Sequence, residues 1–193
     1  MTEALRVGGL QSRVMSRLMR WCLLLPVLAV LAGCKAEDPV ETLRTAPRTK
    51  APIFEVTGMD GERKSLSTLK GKVVLVEFWA TWCTYCVGGM PALDELYRSH
   101  RDQGLEVMMI SNEDPAKVKA FVEDQPYDLP FYLDHNGEGH TFFDVVSYPS
   151  AVIIDREGNV VAKLRGSHPN STLLEVLDAA GLNDAPAKTV ASR

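Results

Sequence analysis

The sequence predicts an α/β domain with a mixed central sheet and helices on both faces, and three observations carry that prediction. Two short apolar runs, Val73 to Val76 and Val107 to Ile110, are continuous rather than alternating, as befits strands covered on both faces. Each is followed by a segment of helical period, so the first half reads βαβα. The second half holds a strand-turn-strand unit, Ala151 to Ile154 and Val160 to Arg165 around Asp155-Arg156-Glu157-Gly158, and then a last helix.

Taken in chain order, Ile53 to Val56 and Lys64 to Leu66 flank Met59-Asp60-Gly61, and Asp-Gly is a strong turn signal, so an N-terminal β-hairpin opens the domain. The Val73 strand leads into a helix from Cys83 to about His100, whose inner stripe is Leu93, Leu96, Tyr97 and His100; Pro91 is expected to kink it. After the Val107 strand, Asp114 caps a helix from Pro115 to Val122, with proline in its first turn. Phe131 to Leu133 reads as a short strand and Gly139 to Phe143 as a short helix. Thr172 and Glu175 have the spacing of a capping box for the final helix, which runs to Ala180.

The segments outside this domain have their own signatures. Arg13, Arg17 and Arg20 precede an apolar run from Trp21 to Ala32 that is shorter than the ~20 residues a membrane span needs. That order of basic, apolar and small residues is an export signal over residues 1–33, with Met15 as an alternative start. The closing Leu31-Ala32-Gly33-Cys34 resembles the lipobox of bacterial lipoproteins, which implies cleavage before Cys34 and lipid on its sulfur. Residues 34–50, polar and punctuated by Pro39 and Pro47, then form a lipidated tether; residues 51–182 are the domain and 183–193 a tail. Losing Arg6, Arg13, Arg17, Arg20 and Glu3 with the signal leaves 17 basic and 24 acidic side chains, net −7, a balance that argues against a nucleic-acid partner.

Of the four cysteines, Cys22 leaves with the signal and Cys34 carries lipid, so Cys83 and Cys86 remain as a pair. There is no second Cys-x-x-Cys to complete a structural zinc site, and no metal or other cofactor is called for. Two thiols three residues apart suit disulfide exchange, in which a thiolate attacks a partner's disulfide and a second thiol resolves the mixed disulfide. Cys83, at the first turn of its helix, is the expected nucleophile, because unpaired N–H groups and the dipole favour a thiolate there. Lowering a thiol by two pKa units requires about 2.7 kcal/mol, and a helix end supplies about 0.3 to 2 kcal/mol, so direct hydrogen bonds must add to it. Cys86, facing inward, is the expected resolving thiol. Glu77 is an acid in an otherwise apolar strand, where burial should raise its pKa and fit it to take the proton of Cys86.

Val76-Glu77-Phe78-Trp79-Ala80-Thr81-Trp82-Cys83-Thr84-Tyr85-Cys86, together with Tyr148-Pro149-Ser150 before a strand-turn-strand, resembles the thioredoxin superfamily. Within it the chain looks like the membrane-tethered TlpA and ResA type of thiol-disulfide oxidoreductase. The resemblance implies a thioredoxin-like fold in which Ser111 to Leu133 includes a central βα insertion. It also implies a cis bond before Pro149, which brings the backbone of Tyr148 beside the disulfide so that an extended substrate can pair there. Trp82, Tyr85 and Tyr148 are then candidates for the substrate-binding surface, with Phe78 and Trp79 as core support. Three departures stand out: Gly89 occupies a position where this type often has glutamate, Glu77 replaces the usual asparagine, and Tyr85 replaces the proline common before the second cysteine.

The implied activity is a protein-disulfide reductase in the bacterial envelope, facing the periplasm, in cytochrome c maturation or envelope redox homeostasis. It would be recharged by a membrane electron donor of the DsbD type. Lys35, where aspartate marks inner-membrane retention, leaves an outer-membrane tether open. The alternatives are a disulfide oxidase or isomerase, and a copper-handling lipoprotein of the Sco type using Cys83, Cys86 and His135, although that type spaces its cysteines one residue wider. A peroxidase is weaker, since no Thr-x-x-Cys arrangement ends at Cys83. His100, His135, His140 and His168 have no ligand spacing and read as surface or packing residues.

Overall fold

The computed structural model describes residues 47–184, so the expected signal, Cys22, Cys34 and most of the tether and tail lie outside the described residues. The strands are β1 (Thr49–Lys50), β2 (Glu55–Gly58), β3 (Arg63–Ser65), β4 (Val73–Phe78), β5 (Leu105–Ser111), β6 (Phe131–Leu133), β7 (Ser150–Ile154) and β8 (Asn159–Arg165). The helices are α1 (Thr84–His100), α2 (Pro115–Glu123), α3 (Glu138–Phe142) and α4 (Asn170–Ala179). All eight strands join one mixed sheet in the order β1-β8-β7-β4-β5-β6-β2-β3.

β4 lies at the centre because its residues can be buried on both sides. It pairs parallel with β5 and antiparallel with β7. Side-chain parity then divides the core. Val73 and Leu75 pack with Met90, Leu93 and Leu96 of α1 and with Leu173, Val176 and Leu177 of α4. Val74, Val76 and Phe78 pack on the opposite face with Phe54, Tyr132 and Phe143. Glu77 therefore falls on the α1 face and Phe78 on the other.

Helix starts and turns differ from expectation in informative ways. The capping box at Thr172 and Glu175 does not form: α4 begins three residues earlier, behind Pro169, with no side-chain cap. The fixed φ of proline already presets a helix start there, and the Thr172 N–H donates to the Pro169 carbonyl at 3.0 Å. The second hairpin strand ends at Ser65, whose hydroxyl accepts from the Ser67 N–H and starts a 3-10 turn over Leu66–Leu69. β1 is too short to have a period, and it pairs with the β8 edge through Thr49 and Lys50. Asp114 caps α2 as expected, accepting from the Ala116 and Lys117 N–H groups.

At the end of the sheet where β4 begins, Arg156 joins distant segments. Its guanidinium donates to the carbonyls of Gly71 at 2.8 Å, Gln103 at 3.0 Å, Gly181 at 3.1 Å and Leu182 at 3.3 Å. Gly104 (φ 97°) lies against it, and a Cβ there would meet the Arg156 Nη1 at 2.8 Å.

Candidate active site

The carboxyl ends of parallel strands are where open α/β sheets place their sites, and the chemistry-bearing residues here gather at the ends of β4, β5 and β6. β4 passes through Trp79 and Ala80 into Thr81-Trp82-Cys83, and Cys83 is the N-cap of α1. Cys83 and Cys86 are joined in a disulfide. The Cys86 N–H donates to the Cys83 Sγ at 3.1 Å, and the first turn of α1 carries no acidic side chain. Both features favour negative charge on the Cys83 sulfur once the bond opens. The two cysteines are almost equally enclosed, at 6% and 5% exposure, so access alone does not separate their roles.

What separates them is their surroundings. Cys86 lines a cavity of about 360 Å³ together with Glu77, Tyr85, Gly89, Pro149 and His168. Half-buried Glu77 is the one carboxylate in that lining. Desolvation by the surrounding protein pushes its pKa up to about 8. A Cβ placed on Gly89 would meet nothing within 4 Å, so the cavity has room where a glutamate side chain would begin.

The Tyr148-Pro149 peptide bond is cis. The Gly166 N–H donates to the Pro149 carbonyl at 2.8 Å, holding that turn against the end of β8. Tyr148 meets Trp82 in a T-shaped ring contact at 5.7 Å. Trp82 is 65% exposed and Tyr85 75% exposed, whereas Phe78 and Trp79 are wholly buried. The aromatic residues thus divide into two exposed groups next to the cysteines and two core groups beneath them.

Three residues near the site, Asn112, Glu113 and Asp134, were not singled out from sequence, and a fourth, His140, read only as a surface or packing residue. Asn112 accepts the Tyr148 hydroxyl at 3.0 Å. Glu113 accepts the Thr81 N–H at 2.5 Å and the Thr81 hydroxyl at 3.0 Å, and its other neighbour is the Lys117 ammonium at 2.5 Å. Burial opposes ionisation of Glu113, but the hydrogen bonds from Lys117 and Thr81 outweigh it and hold the carboxyl below its ordinary range. Asp134 and His140 form a buried pair, with the imidazole Nδ1 2.7 Å and the His140 N–H 3.0 Å from the Asp134 Oδ2. Burial likewise opposes the charge of Asp134, and the hydrogen bonds from His140 overcome it, lowering its pKa. Asn112 and Glu113 directly follow β5 and Asp134 directly follows β6, so polar residues just past buried strands were the available signal. His140 had no such signal, because its partner lies six positions away across a turn.

His135 is exposed, and among the described residues no three His, Cys, Asp or Glu side chains gather where they could hold a metal ion. No helix among the described residues is long and apolar enough to cross a membrane.

A Cys-x-x-Cys disulfide at the start of a helix, on a mixed sheet that also carries a cis-proline turn, is the arrangement of a thiol-disulfide oxidoreductase of thioredoxin-like fold. The chain belongs to the AhpC/TSA family, whose family model matches residues 47–163. It is 33% identical over 129 residues to the thiol-disulfide oxidoreductase ResA of Bacillus thuringiensis subsp. konkukian, covering 66% of this chain and 75% of that protein. The exposed lipoprotein thioredoxin of Streptococcus pneumoniae superposes with a TM-score of 0.62 at 30% identity, covering 66% of this chain and 98% of that one. A thiol:disulfide interchange protein of the thioredoxin family from Chlorobium tepidum gives 0.63 at 27%, covering 70% and 97%.

Proposed function

We propose that this oxidoreductase reduces disulfides in polypeptides outside the cytoplasm, held to a membrane by lipid on Cys34 and recharged by a membrane dithiol donor of the DsbD type. The observation that carries the reading is the enclosed disulfide at the α1 N-terminus, open on its Cys86 side to a cavity containing an acid with a pKa of about 8. In the reduced protein the Cys83 thiolate attacks one sulfur of the substrate disulfide and the other leaves as a thiolate. Glu77 takes the proton from Cys86, directly or through water in the cavity, and the Cys86 thiolate attacks Cys83 Sγ. The second substrate sulfur then departs and the Cys83–Cys86 bond reforms, so two electrons pass from the protein to the substrate. Trp82, Tyr85 and Tyr148 form the surface that an extended substrate segment meets, and the backbone before Pro149 offers it an added-strand partner.

The lipid tether is supported by the Leu-Ala-Gly-Cys ending of the apolar segment and by the likeness to a lipoprotein thioredoxin. Two measurements test the proposal. Cys86→Ser should accumulate a mixed disulfide between Cys83 and a polypeptide partner, resolved by non-reducing electrophoresis and mass spectrometry; capture by Cys83→Ser instead would reverse the roles. The reduction potential of the couple should lie well below the roughly −120 mV of a strong disulfide oxidant. A value near that figure would make the protein an oxidase.

A further inference from the structure

The Asp134–His140 pair is a buried polar feature near the site that the reaction does not use. His140 is 8% exposed and Asp134 1% exposed, among aromatic neighbours. Asp134 holds the imidazole through Nδ1 and accepts the backbone N–H of the same residue, so the ring is fixed at two points. Its Nε2 is buried and has no hydrogen-bond partner. With Nδ1 taken up by Asp134, the remaining contacts of the ring are made by its faces and edges. Those contacts are two aromatic rings: Phe78 at 4.8 Å and Tyr148 at 5.9 Å, both edge-on. Tyr148 in turn meets Trp82, and its hydroxyl is tied to Asn112. A continuous series of contacts thus runs from a buried carboxylate through His140 and Tyr148 to the indole that projects into solvent beside Cys83.

We propose that His140, braced by Asp134, is a positioning residue for substrate selection: it fixes the tilt of Tyr148, and through it Trp82, so that polypeptide disulfides are preferred over small ones. This rests on the reading of Trp82 and Tyr148 as the substrate-binding surface. His140 is largely buried and its hydrogen bonds go to Asp134 rather than to either cysteine, so the chemical step itself should not change. Only a substrate large enough to lie across both aromatic rings should sense the loss.

The test compares two probes reduced by the full-length dithiol protein in stopped flow: a twelve-residue peptide with one internal disulfide, and hydroxyethyl disulfide. His140→Gln can still bond Asp134 but presents no ring to Tyr148. It should lower the second-order rate constant for the peptide about five- to tenfold, with hydroxyethyl disulfide and the reduction potential unchanged. His140→Phe, which keeps an aromatic ring there, should recover most of the peptide rate. Asp134→Asn preserves shape but weakens the brace; it should lower the peptide rate two- to threefold and stands alone if His140→Gln does not fold. An unchanged peptide-to-small ratio in His140→Gln, or in Asp134→Asn if that variant must serve, overturns the proposal, as does an equal loss on both probes. Trp82→Ala and Tyr148→Ala separate the two ideas. If they too leave the ratio intact, the binding-surface reading falls and the inference with it; if they lower it while the His140 and Asp134 variants do not, the inference alone falls.

Discussion

Glu77 and Asp134 are both carboxylates withdrawn from solvent near one end of the same sheet, yet their acidities move in opposite directions. Glu77 sits on the α1 face, where the cavity holds no cation to pair with it, and burial alone raises its pKa to about 8. Asp134 sits among the aromatic residues of the other face, is at least as enclosed, and titrates below its ordinary range because His140 supplies two hydrogen bonds. Burial sets the cost of a charge, and the presence of a partner decides whether that cost is met. The same pair of environments separates a group able to exchange a proton near neutrality from one that stays ionised as a brace.

Breaking the paired site should have the largest effect. Asp134→Ala leaves His140 and a buried N–H without their acceptor, and the expected loss is about 3 kcal/mol of unfolding free energy in urea at pH 7. Because the folded-state pKa of Asp134 lies below the unfolded value, its contribution is complete above the ordinary carboxylate range and disappears as pH falls through the folded value. The variant should therefore show a flatter acid limb of stability.

Glu77→Gln should have the opposite sign. The folded protein holds the Glu77 proton more tightly than the unfolded chain, so stability falls as pH rises from about 4.5 to about 8 and then levels off. Removing the acid should leave stability near pH 4 almost unchanged and raise it at pH 6.5 by roughly 2–3 kcal/mol, as read from parallel urea titrations. The same variant should slow resolution of the mixed disulfide; normal rates across pH would dismiss Glu77 as the base.

Glu113 tests an intermediate case, a half-buried carboxylate with a cation and a hydroxyl. Glu113→Gln should cost about 1 kcal/mol, lost wholly at neutral pH and little in acid, because the native carboxyl is stabilised only while ionised. Gly89→Ala, inside α1 with open space around its Cβ, should give the smallest change, a gain of about 0.5–1 kcal/mol in thermal or urea melts. Gly89→Glu would sharpen the contrast further, since a second acid in the cavity should push the Glu77 titration higher still.

These differences explain which parts of the molecule were legible in the residues. The β4 and β5 runs, the α1 stripe and the Asp114 cap are local patterns with one dominant period or one capping side chain, and the structure follows them. The cysteines were legible because their spacing is itself the chemistry. Glu77 was legible as an anomaly, an acid within an apolar run. The start of α4 was misread because two local signals competed and Pro169 prevailed over Thr172. His140 read as a packing residue, which its ring contacts support, but its link to Asp134 depends on the turn after β6 folding back and has no periodic trace. Thr49 and Lys50 became a strand only because β8 offered an unpaired edge.

The guanidinium of Arg156 has a consequence at the opposite end of the sheet from the disulfide. It ties together the chain just before β4, just before β5 and just after α4, three stretches far apart in sequence. The carboxyl-terminal segment is thereby stitched to the threshold of the central strands, so trimming the chain back to Ala180 would strip the guanidinium of the Gly181 and Leu182 carbonyls and the core of buried Leu182 rather than remove an appendage.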